Sequence, residues 1–125
     1  MRILHILDHS LPLHSGYTFR TRAILKAQIA KGWDIAGVTS VRHSADSAPD
    51  EVIDGLHFYR TPPIQPARSP FGEWREIAAL EKRVEEVARA FRPDILHAHS
   101  PVLTALAAQR VADRMGLPLL YEIRA

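Results

Sequence analysis

The chain has 125 residues and a mass of 14.0 kDa, which is room for one domain with one hydrophobic core. Hydrophobic residues make up 46% and charged residues 24%, which excludes a disordered chain, and the lack of cysteine excludes disulfides and thiolate metal sites. The net charge is only +2, and its basic residues are spread among 14 acidic ones, so the sequence does not predict a nucleic-acid-binding protein.

The first part of the chain predicts a strand, a helix and a second strand. A short apolar run at residues 3–7 is typical of a buried strand, and the polar loop 8–16 follows it. Residues 17–31 carry an alanine stripe at helical spacing, and Gly32 is a helix stop signal. The second strand is predicted at residues 33–39.

The middle of the chain predicts a hairpin turn and a flexible segment. Asp54 and Gly55 stand between two apolar pieces, which is a hairpin signal leading into a third strand at residues 56–60. Residues 61–70 contain four prolines, which prevent helix and ladder hydrogen bonds. We therefore expect this segment to be mobile.

The last part of the chain predicts two helices and two strands. Apolar residues recur at spacings of three and four over residues 73–91, which is the clearest helix signal in the sequence. A fourth strand follows at residues 95–98. Ser100 and the proline after it suit the N-cap and first position of a helix at 102–115. A fifth strand is predicted at residues 117–123.

This alternation predicts an α/β fold in one domain, residues 1–125. Strands that alternate with helices form a mostly parallel sheet with helices on both faces, and right-handed crossovers make it a Rossmann-like, doubly wound fold. We predict five strands in the order 3-2-1-4-5, with the first strand central. The sequence stops directly after a strand, so we expect a fragment of a longer protein. No apolar run approaches the roughly 20 residues of a membrane span, and no signal peptide is recognisable, so a cytoplasmic location is expected.

Ligands of such sheets bind beyond the carboxyl ends of the strands. That rule selects the loop 8–16, the stretch 97–100 and residues 122–124. Ser15 and Gly16 lead directly into a helix, and a helix N-terminus attracts phosphate. Gly16 could equally be a turn residue. The sequence lacks the glycine-rich motifs of dinucleotide-binding domains and phosphate-loop ATPases, which disfavours both classes.

His97 and His99 lie two residues apart on one strand, so both side chains point to the same face. We interpret His97 as a buried core histidine and His99 as better placed to touch a substrate. No established metal-ligand spacing is present, so no metal site is expected. Arg20, in the first turns of the helix, could reach a phosphate or face solvent.

The sequence resembles the N-terminal domain of the family 4 glycosyltransferases, which are retaining enzymes of the two-domain GT-B fold. The stretch PDILHAHS at residues 93–100 is the most specific part of the resemblance. The run from Asp8 to Thr18 and the closing Tyr-Glu-Ile-Arg-Ala are similar to the subgroup of bacterial exopolysaccharide clusters of the PEP-CTERM/exosortase type. The other matching pieces are residues 1–7, 12–16, 30–35 and 116–121.

The resemblance implies roles for individual residues. Gly16 would contact the diphosphate of a nucleotide-sugar donor together with Ser15, which replaces the first glycine of a pair in many members. His99 would lie near the transferred sugar and act in catalysis. The resemblance implies no cofactor. Further contacts to acceptor or substrate are expected from His9, Arg20, Ser100, Glu122 and Arg124.

The resemblance also implies partners and a missing half. The N-terminal domain mainly binds a glycan or lipid-linked acceptor, and a C-terminal domain with an E-x₇-E motif holds most of the donor. That domain is absent from this sequence, so we expect the isolated chain to be inactive. Peripheral association with the inner membrane is expected, and nucleic acid is not.

Two alternatives of other classes stand beside this reading. One is a free-standing flavodoxin-like binding or regulatory module. Within that class a receiver-type regulator is disfavoured, because it needs a phosphorylatable aspartate after the third strand and this sequence has Thr-Pro-Pro there. The other is a metal-dependent hydrolase of deacetylase type, in which Asp8 and His9 would join His97 and His99 around a metal. Zinc analysis would decide the second.

Overall fold

The computed structural model describes residues 1–13, 15–43, 48–64 and 72–123. Within them the chain forms six strands and three helices. The strands are β1 (Arg2–Leu7), β2 (Asp34–Thr39), β3 (Asp50–Ile53), β4 (Leu56–Arg60), β5 (Ile95–His99) and β6 (Leu119–Glu122). The helices are α1 (Gly16–Ala30), α2 (Gly72–Phe91) and α3 (Val102–Met115).

The strands form one sheet in the order β3-β4-β2-β1-β5-β6. The pairs β4-β2, β2-β1, β1-β5 and β5-β6 are all parallel, so the predicted order 3-2-1-4-5 with a central first strand is confirmed for the parallel strands. Helices pack on both faces, which is the doubly wound, Rossmann-like arrangement.

The prediction of five strands was wrong by one. The Asp54–Gly55 turn does close a hairpin, but its first arm is itself a strand, β3, paired antiparallel with β4 at the edge of the sheet. Both turn residues have positive φ, 55° and 76°, as a two-residue hairpin turn requires. The sequence of β3 is Asp-Glu-Val-Ile, which lacks the apolar pattern of a buried strand, and Val52 is exposed.

The two faces of the sheet carry different cores because side chains alternate along each strand. On one face, Leu4 and Ile6 of β1 pack against α2 and α3. On the other face, Leu7 packs with Leu25 of α1 and Phe58 of β4. Gly37 leaves room for the Phe58 ring: a Cβ on it would lie 3.1 Å from the Phe58 Cδ1 atom.

The helix ends were predicted in part. Gly116 ends α3 in the left-handed conformation, φ 66°. Ser100 is not the N-cap of α3: Pro101 takes that position without a side-chain hydrogen bond, and the helix begins at Val102. Strand β5 extends one residue further than predicted, to His99, because its ladder with β6 continues to the His99–Glu122 pair.

Two further expectations concern the surroundings of the sheet. Most of the proline-rich segment predicted to be mobile, residues 65–70, lies outside the described residues. Among the described residues, no helix has both the length and the apolar character that crossing a membrane requires.

Candidate functional site

The carboxyl ends of β1, β5 and β6 meet at one edge of the sheet, and α1 begins at the loop that follows β1. The candidate residues form two groups. The loop group comprises Asp8, His9, Ser15 and Gly16. The histidine group comprises His5, His97 and His99, with Gln28, Arg20 and Glu122 around them.

A chain of hydrogen bonds links the loop group. The Asp8 Oδ2 atom lies 2.9 Å from His9 Nδ1, and His9 Nε2 lies 3.1 Å from Ser15 Oγ. Since a carboxylate can only accept, His9 Nδ1 carries the hydrogen of this bond. Ser15 Oγ also accepts from the backbone N–H of Thr18 at 3.0 Å, which makes Ser15 the N-cap of α1. The ring of Tyr17 packs on His9 with centroids 4.6 Å apart.

The N-terminus of α1 is open to a ligand. Gly16 is exposed, and among the residues that the structure describes a Cβ on it would meet no atom within 4 Å beyond its chain neighbours and its own helix backbone. The first turn holds no acidic residue, so nothing in that turn offsets the positive end of the helix dipole. The positive end of the α1 dipole, next to exposed Gly16, suits an anion.

The histidine group lies under α1, on the face of the sheet opposite α2 and α3. His5 of β1 stands beside His97 in the ladder with β5, and His99 follows two residues later on the same face. His5 Nδ1 lies 2.8 Å from His99 Nε2, and His5 Nε2 lies 2.7 Å from the Gln28 side-chain oxygen. The His97 and His99 rings stack with centroids 4.3 Å apart and an angle of 7°. All three imidazoles are buried.

Charged residues border the histidine group. The Glu122 carboxylate lies 3.5 Å from His97 Nε2 and 3.9 Å from His99 Nδ1. The Arg20 Nε atom approaches the same carboxylate at 3.9 Å, and most of the Arg20 side chain is exposed. This side of the cluster therefore carries a partly exposed acid and a cation next to three buried imidazoles.

The structure thus gathers some predicted residues and separates others. It brings His99, Glu122 and Arg20 together, and it joins His9 to Ser15. Ser100 is tied to β6 through its backbone N–H, which donates to the Glu122 carbonyl at 2.9 Å. Arg124 lies outside the described residues.

Two placements differ from the expectations. His99 was expected beyond the strand end, but it is the last residue of β5 and its side chain is fully buried. His9 was considered as a partner of His97 and His99, but it bonds to Asp8 and Ser15 instead, and His5 takes the place beside the pair on β5.

Sequence reasoning missed His5, Gln28 and Arg60. His5 is a polar residue within the apolar strand β1, on the same face as Leu7. This interruption was the one sequence signal that His5 could belong to a site. Buried Arg60 holds the loop after β1: it donates to the Leu11 carbonyl at 2.6 Å and pairs with Glu51 at 3.0 Å. These side-chain contacts depend on which strands are neighbours in the sheet, so no local sequence pattern predicts them.

His43, which follows β2, should make stability depend on pH. Burial, and then the nearby positive charge of Arg60, lower the pKa of His43 to about 4, from 6.5. The Ser10 backbone N–H donates to His43 Nδ1 at 3.3 Å, which requires that nitrogen to be unprotonated. Because the unfolded chain takes up this proton at higher pH than the folded one, the free energy of unfolding should fall as pH drops from about 6.5 to about 4.

The size of that effect is modest because the ring is only half-buried. Solvent screening should reduce it to about 1–2 kcal/mol. Urea unfolding at pH 7, 5.5 and 4 measures it, and His43→Gln should lose less stability over that range than the wild type. Equal losses in the two proteins would contradict the assignment.

Comparison with known proteins identifies the family. The model of the glycosyl transferase 4-like domain matches residues 15–125. The chain belongs to this family of glycosyltransferase domains. No curated protein matches it significantly. The family match disfavours both the regulatory module and the metal-dependent hydrolase.

Solved structures of low sequence identity share the fold. Sucrose-phosphate synthase from Thermosynechococcus elongatus matches with a TM-score of 0.73 at 12% identity, over 99% of this chain and 33% of that one. The catalytic domain of starch synthase IV from Arabidopsis thaliana, bound to ADP and acarbose, matches with a TM-score of 0.71 at 14% identity, over 98% and 33%. UDP-GlcNAc 2-epimerase from Methanocaldococcus jannaschii, in complex with UDP-GlcNAc and UDP, matches with a TM-score of 0.64 at 14% identity, over 97% and 32%.

These likenesses concern the fold alone. They confirm the α/β, Rossmann-like architecture expected for the N-terminal half of a GT-B enzyme. The chain spans about a third of the length of these three solved structures.

Proposed function

We propose that the chain is the N-terminal, acceptor-side domain of a retaining GT-B glycosyltransferase. The enzyme would move a sugar from a nucleotide-sugar donor to a glycan or lipid-linked acceptor. The observation that carries this proposal is the family match over residues 15–125, together with an α1 N-terminus that is open at Gly16. A second, donor-binding domain would complete the enzyme.

The diphosphate of the donor would sit at the N-terminus of α1. Backbone N–H groups of the first turn would donate to phosphate oxygens, and the open space above Gly16 lets the backbone approach closely. The Ser15 hydroxyl and the His9 imidazole, which Asp8 orients, lie at the same place. Two structural neighbours are complexes with ADP or UDP, which supports a nucleotide diphosphate as the ligand.

The sugar and acceptor would lie towards the histidine group. Arg20 and Glu122 reach solvent and can bind hydroxyl groups, while Ser100 lies beside them on the turn into α3. His99 has no exposed surface in this structure. Its direct contact with the transferred sugar therefore requires the surrounding side chains to move, and Arg124 would add to this region.

We further propose the biological setting that the resemblance implies. The run from Asp8 to Thr18 and the residues after Leu120 support a role in bacterial exopolysaccharide synthesis. The enzyme would work in the cytoplasm, associated peripherally with the inner membrane where lipid-linked acceptors are found.

Calorimetric titration with UDP, ADP and GDP tests the diphosphate site in the 125-residue chain. We expect weak binding by the wild type. Gly16→Asp places a carboxylate where the phosphates would sit, so it should weaken binding at least tenfold, or about 1.4 kcal/mol. An acidic residue in the first turn favours the helix, so this loss would not reflect unfolding.

Ala23→Asp is the matched control, since it adds the same charge at an exposed position two turns further along α1. Its affinity should stay within about twofold of the wild type, because charge effects of this kind fade with distance and salt. Unchanged binding by Gly16→Asp would show that the diphosphate does not bind at the start of α1.

A further inference from the structure

We propose that His5, His97 and His99 form a binding site for a divalent transition metal ion, with Zn²⁺ as the best-suited ion. The inference rests on the geometry of the histidine group and does not depend on the proposed function. The sequence argued against a metal because it lacks an established ligand spacing, but the third ligand comes from a neighbouring strand, where local spacing cannot reveal it.

The three imidazoles converge. Each offers a ring nitrogen, and these nitrogens all lie within 4.8 Å of one another. A zinc ion held at Zn–N distances of about 2.0–2.1 Å keeps its ligand nitrogens roughly 3.3 Å apart. His5 Nδ1 and His99 Nε2, now 2.8 Å apart, would need to separate by about half an ångström. A pair at the 4.8 Å limit would need to close by about 1.5 Å, so the rings must rotate when the ion binds.

Two rings of the histidine group have polar partners on their outer sides. The Gln28 side-chain oxygen lies 2.7 Å from His5 Nε2 and accepts its hydrogen. The Glu122 carboxylate, which can only accept, faces His99 Nδ1 at 3.9 Å. When Gln28 accepts from His5 Nε2, His5 Nδ1 accepts the hydrogen of His99 Nε2. A metal ion bound between the two rings takes the place of that hydrogen, which moves to His99 Nδ1 beside Glu122. Metal-bound histidines are commonly held by an amide or carboxylate oxygen in this way.

Charge and access also suit a metal. Glu122 supplies a negative charge beside the imidazoles, and its side chain is partly exposed, at 27%. His97 retains 7% exposure, so the cluster is not fully closed to solvent. Three neutral nitrogen ligands and no thiolate match a zinc site that keeps one position for water or another ligand. Within the part of the chain that the structure describes, this is the one group of three His, Asp or Glu residues that could hold a metal ion.

The experiment uses the tag-free 125-residue chain after removal of metals with EDTA. Calorimetric titration with Zn²⁺ should give one ion per chain, and Zn²⁺ should raise the melting temperature while Mg²⁺ should not. Co²⁺ should produce the visible absorption of a four-coordinate site. Absence of stoichiometric Zn²⁺ binding by the folded chain would overturn the proposal.

Variants locate the site. His5→Ala and His97→Ala should each lose Zn²⁺ binding, and Glu122→Gln should weaken it about 10- to 100-fold, as expected when an outer partner of a ligand is lost. His57→Ala is the control, because His57 stacks on Tyr59 at the other end of the sheet, and it should bind as the wild type does.

Circular dichroism in EDTA separates metal loss from misfolding, since the metal-free variants should keep the spectrum of the metal-free wild type. If the His5 and His97 variants do not fold, the wild-type Co²⁺ spectrum and stoichiometry still decide whether a site exists. Zn²⁺ binding retained by folded His5→Ala and His97→Ala would also overturn the assignment.

Discussion

In the metal-free form of the proposed two-domain enzyme, His99→Ala is expected to slow sugar transfer about 10²- to 10³-fold, the cost typical of losing one donor at developing charge. His99 ends β5 at the carboxyl edge, and its imidazole is held between His5 and Glu122. Removing the ring takes away a hydrogen-bonding group and one neighbour of the Glu122 carboxylate, which keeps His97 and Arg20 beside it. Both changes act where the resemblance places the transferred sugar.

Steady-state kinetics together with thermal melts measure this effect. His99 is fully buried, so its loss will cost some stability, and activity should be compared well below the melting temperature. His57→Ala serves as the control and should retain wild-type turnover. A folded His99→Ala enzyme that also keeps wild-type turnover would remove His99 from the site.

The 125-residue chain alone is expected to bind nucleotide-sugar weakly and to transfer no sugar at a measurable rate. Glycosyl transfer needs donor and acceptor held together in a closed cleft, and orientation of this kind contributes about 7–11 kcal/mol to catalysis. In the proposed enzyme, the N-terminus of α1 would form one side of such a cleft and the second domain would form the other.

Single-turnover assays with labelled nucleotide-sugars check this prediction at protein concentrations above that of the donor. Binding without transfer is the expected result. Efficient transfer by the chain alone would refute the division of work between the two domains.

Much of the fold was predictable because local signals agreed with one another. The apolar run of β1, the helical spacing of α2 and the stop at Gly116 each indicated the element that forms. Strand β3 was not predicted, because an exposed edge strand needs no apolar pattern. Ser100 was misassigned because N-cap preference is statistical, and here the chain enters α3 through Pro101 instead.

The site was predictable only as far as topology allows. Because ligands of parallel sheets bind beyond the carboxyl ends of the strands, the sequence predicted that His99 and Glu122 lie at the same edge of the sheet. In the structure they are neighbours in the β5–β6 ladder. His5 and Gln28 were missed because their approach to His99 depends on the register of β1 with β5 and on which side of α1 faces the sheet. Neither the strand register nor the orientation of α1 can be derived from the spacing of residues in the sequence.

The proposed function makes this chain one domain of a nucleotide-sugar-dependent glycosyltransferase. Acceptor-dependent release of nucleoside diphosphate tests it most directly, measured on the protein in which this chain is joined to its proposed donor-binding domain, with a panel of nucleotide-sugars and lipid-linked or glycan acceptors. We expect release with at least one donor, abolished or strongly reduced by Gly16→Asp and unchanged by Ala23→Asp. Release that is equally fast with Gly16→Asp, or a folded two-domain protein that uses none of the donors, would contradict it.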